Sequence, residues 1–139
     1  MIAPPSINML AKSMLRAQGE RGASGIANAA KLTQTQVYVG LNDSETRRQT
    51  HETDHCVALL KRVCVSYGLP FSLDVVNGGY MHDDGEYTEE NTIVLTFINV
   101  GQETIDEMAR DLCSLFHQES VLVTTSPVVA RSVRVAPEE

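Results

Sequence analysis

The clearest short pattern that could do chemistry is His51-Glu52-Thr53-Asp54-His55, which fits H-E-x-x-H. On one helix, His51 and His55 would lie a turn apart and could bind zinc while Glu52 activated the metal-bound water, as in a zinc metallopeptidase. Such motifs usually lie on a buried helix, whereas the polar residues 47–50 predict a solvated surface. Two exposed histidines in the first turns of a helix are the preferred interpretation, and a zinc site is the minor alternative.

A second candidate group is Gly78-Gly79-Tyr80, followed further along by Glu89-Glu90-Asn91-Thr92. Two glycines permit a bend at which the backbone approaches a ligand closely, and a tyrosine there would present its ring and hydroxyl. Strand alternation would aim Glu89 and Glu90 to opposite sides, so that one faces a pocket and the other faces water. From spacing alone, a hairpin with a glycine kink and a charged tip is the commoner explanation.

The three cysteines offer little chemistry. Cys56 and Cys64 lie two helical turns apart, too far for a disulfide within one helix, and read as small buried hydrophobes in a reducing compartment. Cys113 and His117 could form a thiolate–imidazole pair, but the apolar residues around them predict that this segment packs against the sheet.

Composition restricts the partners. The 139 residues include 11 Lys and Arg against 18 Asp and Glu, a net charge of −7, and no basic cluster interrupts this acidity. Binding to nucleic acid is therefore disfavoured. The N-terminus does not resemble a signal peptide and no apolar run reaches membrane-spanning length, so we expect a cytoplasmic protein with no membrane partner.

Alternating strands and helices must position these residues. Period-two patterns predict strands at 37–41, 71–75, 93–97 and 121–123. A long helix is expected from the Asn42-Asp43-Ser44 turn to Tyr67, ended by Gly68, and a second helix follows Gly101. Residues 82–90 predict a wide hairpin with a mobile tip. The order β-α-β-β-α-β is that of an α+β ferredoxin-like plait.

Two further expectations concern organisation. Residues 36–135 are predicted to form a single ferredoxin-like domain, preceded by an N-terminal arm, 1–35, with a helix up to about Gln18; a docked arm, an oligomer contact and partial disorder are all open for it. One sheet face should carry the helices. The residues of the other face are too apolar for open solvent and predict a homo-oligomer; they are Val76, Val94, Thr96, Ile98 and Leu122.

Over roughly residues 37–123 the chain resembles the small phage-encoded enzymes that degrade S-adenosylmethionine (SAM), formerly called SAM hydrolases and now SAM lyases. No single motif carries the resemblance, which lies in the order and spacing of several. They are Val37-Tyr38-Val39, His55 with the helix after it, Tyr67-Gly68-Leu69, Gly79-Tyr80, Glu89-Glu90-Asn91-Thr92, Leu112-Cys113 and Val121-Leu122-Val123.

The resemblance implies a PII-like homotrimer that binds SAM between subunits without a cofactor, and cleaves it to methylthioadenosine and homoserine lactone. In a phage this would occur in the host cytoplasm and counter host restriction–modification. It implies Glu90 and Tyr80 as catalytic residues, with Gly79, Met81 and Glu89 binding substrate. The loop from Tyr80 to Glu90 is slightly shorter than the family pattern, so Glu89 is the alternative to Glu90.

Other functions fit the same pattern. A non-enzymatic PII-like regulator could bind a nucleotide on this fold, because architecture does not fix function. A true hydrolase would use Glu90 as a base for water and release homoserine directly.

Overall fold

The computed structural model of the protein describes residues 29–136. The elements in chain order are β1 (Ala29–Gly40), α1 (Thr53–Ser66), β2 (Ser72–Met81), β3 (Tyr87–Ile98), α2 (Gln102–Leu115) and β4 (Leu122–Arg131). The strands form one antiparallel sheet in the order β2-β3-β1-β4. The predicted ferredoxin-like plait is therefore confirmed. The predicted helix within residues 1–28 lies outside the described residues.

The core lies between the two helices and one face of the sheet. α1 buries Cys56, Leu60 and Cys64 at successive helical turns. The other fully buried side chains come from α2 and from the alternating positions of the two central strands: Val37, Val39, Ile93, Leu95, Phe97, Ile105, Met108 and Leu112. The two buried cysteines confirm the sequence-based expectation, and all three are free thiols.

α1 begins later than predicted. Its first residue is Thr53 and Glu52 is its N-cap, so the expectation of a helix from Ser44 onward is wrong at this end. The side chain of Asp43 accepts hydrogen bonds from the amides of Glu45 (2.9 Å) and Thr46 (3.0 Å), which closes a local turn in place of a helix. At the other end the prediction is confirmed, because Gly68 has φ +66° and ends the helix.

The strands are longer than their sequence patterns. β1 starts at Ala29, inside the segment expected to be an arm, because residues 29–38 pair with β4 from Leu122 to Arg131. The hairpin expected to be wide at 82–90 is instead narrow, and the mobility expected for its tip stays a prediction. Met81 pairs with Tyr87, and a short turn between them is closed by a 2.8 Å hydrogen bond from the amide of His82 to the carbonyl of Glu86. Polar residues can extend a strand when its partner supplies the hydrogen bonds, and local patterning does not reveal this.

The residues that the period-two pattern predicted for the sheet face opposite the helices do lie on that face. Tyr38 of β1 lies between Val94 and Leu122, while the flanking Val37 points into the core. The side chains of Val76 and Leu122 are 41% and 62% exposed. No helix among residues 29–136 is long and apolar enough to cross a membrane.

Candidate functional site

A cleft of about 320 Å³ lies at the end of the sheet where two loops meet the β2–β3 hairpin. The hairpin contributes Tyr80, His82 and Glu90. The β1–α1 loop and the α2–β4 loop supply the remaining lining residues, which are Asn42, Asp43, Ser44, Arg47, Gln118, Glu119 and Ser120. The cleft thus combines three segments that are far apart in the sequence.

Tyr80 and Glu90 come together because of the strand register. Tyr80 pairs with Thr88 and Gly78 pairs with Glu90, which places the side chains of Tyr80 and Glu90 on the same face of the hairpin. This is the face that continues the open side of the sheet. The tyrosine ring also lies beside the ring of His82, with 4.5 Å between ring centroids.

Glu89 and Glu90 point to opposite sides of β3, as predicted from strand alternation. Glu90 lines the cleft, whereas Glu89 lines an adjoining cavity of about 440 Å³, which shares Asn42 and Arg47 with the cleft. Gly79 and Met81 also have the opposite strand parity from Tyr80 and do not line the cleft. Their contact with a substrate, like that of Glu89, stays a prediction, since within one chain these residues face away from Tyr80 and Glu90.

The glycine pair does not form the expected bend. Gly78 and Gly79 lie within β2, and neither has a positive φ. A β-carbon on Gly79 would come within 2.2 Å of the hydroxyl oxygen of Tyr87, so this glycine makes room for the tyrosine across the strand pair. In the fold, Gly79 therefore allows the Tyr87 side chain to pack against β2, and it does not form a turn.

Asn42 holds the carboxylate of Glu90 in place. Its backbone amide donates a 3.0 Å hydrogen bond to Glu90 Oε2. Its side-chain amide donates to the carbonyls of Glu89 (3.0 Å) and Arg47 (3.3 Å), and its own carbonyl accepts a hydrogen bond from Gln118 Nε2. Asn42 is only 6% exposed, so the hydrogen bonds of this buried polar residue connect the three segments of the cleft.

Charges in the cleft are mainly negative. Asp43, Glu90 and Glu119 line it against the single guanidinium of Arg47. Hydrogen bonds from the backbone amides of Thr46 and Glu45 hold the pKa of the Asp43 carboxyl below its ordinary value, so it is ionised at neutral pH. Arg47 itself is paired with Asp84 at 2.9 Å, and this contact raises the pKa of its guanidinium.

Sequence reasoning missed Asn42, Arg47 and Gln118, which all line the cleft. Asn42 was interpreted as part of a turn, and residues 47–50 as a solvated surface. An asparagine directly after a predicted strand was the one available signal, because such a residue must satisfy its amide within the protein if it is buried. Which groups would satisfy it depends on the tertiary structure.

The H-E-x-x-H segment does not adopt the geometry of a zinc motif. His51 precedes α1 and His55 lies in its first turn, so the expectation that one helix presents both histidines is wrong. Their ring centroids are 5.9 Å apart and both side chains are exposed, as the preferred interpretation states. Across residues 29–136, no group of three His, Cys, Asp or Glu side chains is arranged to hold a metal ion.

A larger cavity, of about 520 Å³, lies between β1, β4 and the start of α2. Its lining includes Thr35, Thr125 and Asp106, and none of the predicted site residues. The hydroxyls of Thr35 and Thr125 lie 3.5 Å apart and partner each other. The predicted catalytic residues Tyr80 and Glu90 therefore line the smaller cleft and not this cavity.

The fold and the cleft together define an α+β plait with an acidic site at one end of its sheet. No protein-family model and no curated protein matches the sequence. Among solved structures the chain is similar to one titled "phage SAM lyase in apo state", with 18% sequence identity and a TM-score of 0.51. The match covers 81% of this chain and 98% of that one. At this identity, the similarity supports a common fold.

Proposed function

We propose that this protein is a SAM lyase, which cleaves S-adenosylmethionine to methylthioadenosine and homoserine lactone. The observation that carries the proposal is that Tyr80 and Glu90, implied as catalytic by the sequence resemblance, line one acidic cleft. The shared fold of a phage SAM lyase supports it further. If the gene belongs to a phage, depleting SAM would counter host restriction–modification.

The charge of the cleft suits this substrate. SAM carries a sulfonium cation beside an adenosyl group, and three carboxylates line the cleft, namely Asp43, Glu90 and Glu119. Like-charged groups focused in a cleft raise the local concentration of an oppositely charged ligand. An anionic nucleotide, the ligand expected of a PII-like regulator, would be repelled by the same groups.

The reaction needs few protein groups, because SAM contains both reactants. A carboxylate oxygen of the methionine moiety attacks the γ-carbon and closes a five-membered lactone. The bond between the γ-carbon and sulfur breaks, and its electron pair stays on sulfur to give a neutral thioether. No proton is transferred. Positive and negative charge disappear together, so a water-poor site favours the transition state over the zwitterionic ground state.

Tyr80 and Glu90 would therefore bind and orient the substrate and would not act as acid and base. The Asn42 amide holds one carboxylate oxygen of Glu90, which fixes the group while leaving acceptor capacity for the ribose hydroxyls or the sulfonium. Folding the methionine chain into its ring-closing shape supplies the orientation that accelerates an intramolecular reaction.

A water-poor site requires more than one chain. Tyr80 is 45% exposed, and the sheet face that continues from it carries the exposed Val76 and Leu122. A second copy of the chain on this face would bury the apolar residues and cover the cleft, consistent with a homotrimer that has sites between subunits. Gly79, Met81 and Glu89 are proposed to contact substrate only across such an interface.

Incubating the purified protein with SAM in H₂¹⁸O tests the reaction. A lyase yields methylthioadenosine and a lactone without solvent oxygen, and later opening of the lactone places ¹⁸O in the carboxyl group. A hydrolase would place ¹⁸O in the side-chain hydroxyl of homoserine. A sample without protein measures spontaneous cleavage. Loss of SAM no faster than in the sample without protein would refute the proposal and favour a binding regulator.

A further inference from the structure

The tip of the β2–β3 hairpin is connected to the β1–α1 loop by one arginine. Arg47 Nη1 lies 2.9 Å from Asp84 Oδ2 and 3.8 Å from Glu86 Oε2, and both carboxylates belong to the turn between the strands. We infer that Arg47 is a positioning residue, which holds this turn against the loop and thereby fixes Tyr80 over the cleft. The consequence for turnover rests on the proposed function, while the mechanical role does not.

The outer part of the hairpin has little other support. β1 pairs with β3 only as far as Gly40, which faces Thr92, so the strands beyond that point form a two-stranded ribbon. Isolated two-stranded ribbons are marginally stable in water. The side chains of Met81 and Tyr87, at the end of the ribbon, are 64% and 60% exposed. Its orientation therefore depends on the few contacts that connect it to neighbouring segments.

Two of these contacts flank Tyr80. At the inner end, Asn42 binds the carbonyl of Glu89 and the carboxylate of Glu90. At the outer end, Arg47 binds Asp84. Tyr80 lies between them along the ribbon, so loss of the outer contact would let the ribbon pivot about Asn42 and move the ring relative to Glu90.

Hydrogen bonds fix the backbone conformation of Arg47. Arg47 has φ +59°, a left-handed conformation that is uncommon for residues other than glycine. Its amide donates a 2.9 Å hydrogen bond to the carbonyl of Asp43, and its carbonyl accepts from the side chain of Asn42. The loop thus directs the guanidinium towards the hairpin before any ligand binds.

The pairing also changes the charge that a ligand meets. The guanidinium is the one Arg or Lys side chain lining the cleft within the described chain, and Asp84 and Glu86 offset its charge. The carboxylates of Asp43, Glu90 and Glu119 then dominate the cleft. An unpaired Arg47 would weaken the attraction for a cationic ligand.

Hydrogen exchange of the free protein tests the mechanical role without any substrate. Arg47→Gln should speed exchange of the amides at 80–88 by about two- to fivefold, the range expected for a solvent-exposed ion pair. Arg62→Gln is the matched control, because Arg62 is an exposed residue of α1 that lines neither cavity beside the hairpin, and it should leave these amides unchanged. Equal exchange in Arg47→Gln and the wild type would overturn the inference.

Charge reversal separates positioning from direct ligand contact. Arg47→Glu and Asp84→Arg should each speed exchange at the tip and raise KM for SAM, and the double variant should restore both to within about twofold. A KM that stays high in the double variant while exchange is restored would show that Arg47 touches the ligand, which overturns the positioning role. If the wild type does not consume SAM, the exchange data still decide the mechanical question.

Discussion

The carboxylate of Glu90 lies directly over the backbone of Gly40, so close that a β-carbon on this glycine would come within 2.6 Å of Glu90 Oε2. The absence of a side chain at the end of β1 lets the carboxylate cross from β3 and accept the hydrogen bond of the Asn42 amide. Gly40 has no positive φ, so the glycine is required for space and not for backbone conformation.

Gly40→Ala should therefore displace Glu90 without unfolding the protein. We expect the turnover of SAM to fall by about 100-fold, the size of effect that a 1 Å displacement of a positioned group can produce. Steady-state kinetics and circular dichroism measure the two properties. Gly101→Ala is the control, because a β-carbon there meets no atom within 4 Å and the residue lines a different cavity from the cleft. Normal turnover in Gly40→Ala would contradict the role assigned to this contact.

Glu90→Gln and Tyr80→Phe should each lower kcat/KM for SAM strongly, by about 100-fold for the glutamate, since each removes one polar interaction with little change in shape. Melting temperatures should stay near that of the wild type. Glu103→Gln makes the same chemical change as Glu90→Gln at a position that does not line the cleft. Near-normal activity in both cleft variants would refute the site, and a larger loss in Glu89→Gln than in Glu90→Gln would assign the catalytic role to Glu89.

Tyr67 should make the stability of the fold fall at high pH. Its hydroxyl donates a hydrogen bond to Asp111, which joins the end of α1 to α2 and raises the pKa of the phenol from 10.0 to about 12. A pKa raised in the folded state contributes stability that is complete below the unfolded value, and that is lost as pH rises from about 10 through about 12. Denaturant unfolding across this range should show the decline, and Tyr67→Phe should remove this component. Equal loss of stability between pH 10 and pH 12 in Tyr67→Phe and the wild type would contradict it.

Only one of the three thiols should react quickly with a thiol reagent at pH 8. Burial raises the pKa of Cys64 to about 12 and also raises that of Cys56, so both remain protonated and inaccessible. Cys113 is partly exposed. Reaction with Ellman's reagent should show one fast equivalent in the native state and three after unfolding, and Cys113→Ser should lack the fast phase. Rapid reaction of two or more native thiols would disprove the proposed burial.

Leu122→Glu should dissociate the proposed oligomer. Leu122 is 62% exposed on the open sheet face, where a charge would oppose burial against a second copy. Light scattering after gel filtration should show a lower mass than for the wild type. Val65→Glu is the matched control, because Val65 is 71% exposed on the helix side, and its mass should not change. A monomeric wild-type protein would disprove the homotrimer.

The amino-acid sequence determined the order of the elements and the sidedness of its strands. Period-two and helical patterns record whether each residue faces water or the core, which depends mainly on its near neighbours in the chain. For this reason the plait, the stripe of Cys56, Leu60 and Cys64, and the opposite directions of Glu89 and Glu90 could all be predicted. The same patterns overlooked extensions of strands without a clear alternation, such as residues 29–34 of β1, whose partner lies in β4.

Only the tertiary structure decided which residues surround Glu90. Asn42 and Glu90 are 48 positions apart in the chain, and their contact depends on the register between β1 and β3 and on the short loop that replaces the expected start of α1. Register is set by the packing of whole strands, and a shift of one residue would turn Glu90 away from the cleft. The role of Gly40 could not be predicted either, because it consists in leaving space for the Glu90 carboxylate. That carboxylate reaches Gly40 only in the folded chain.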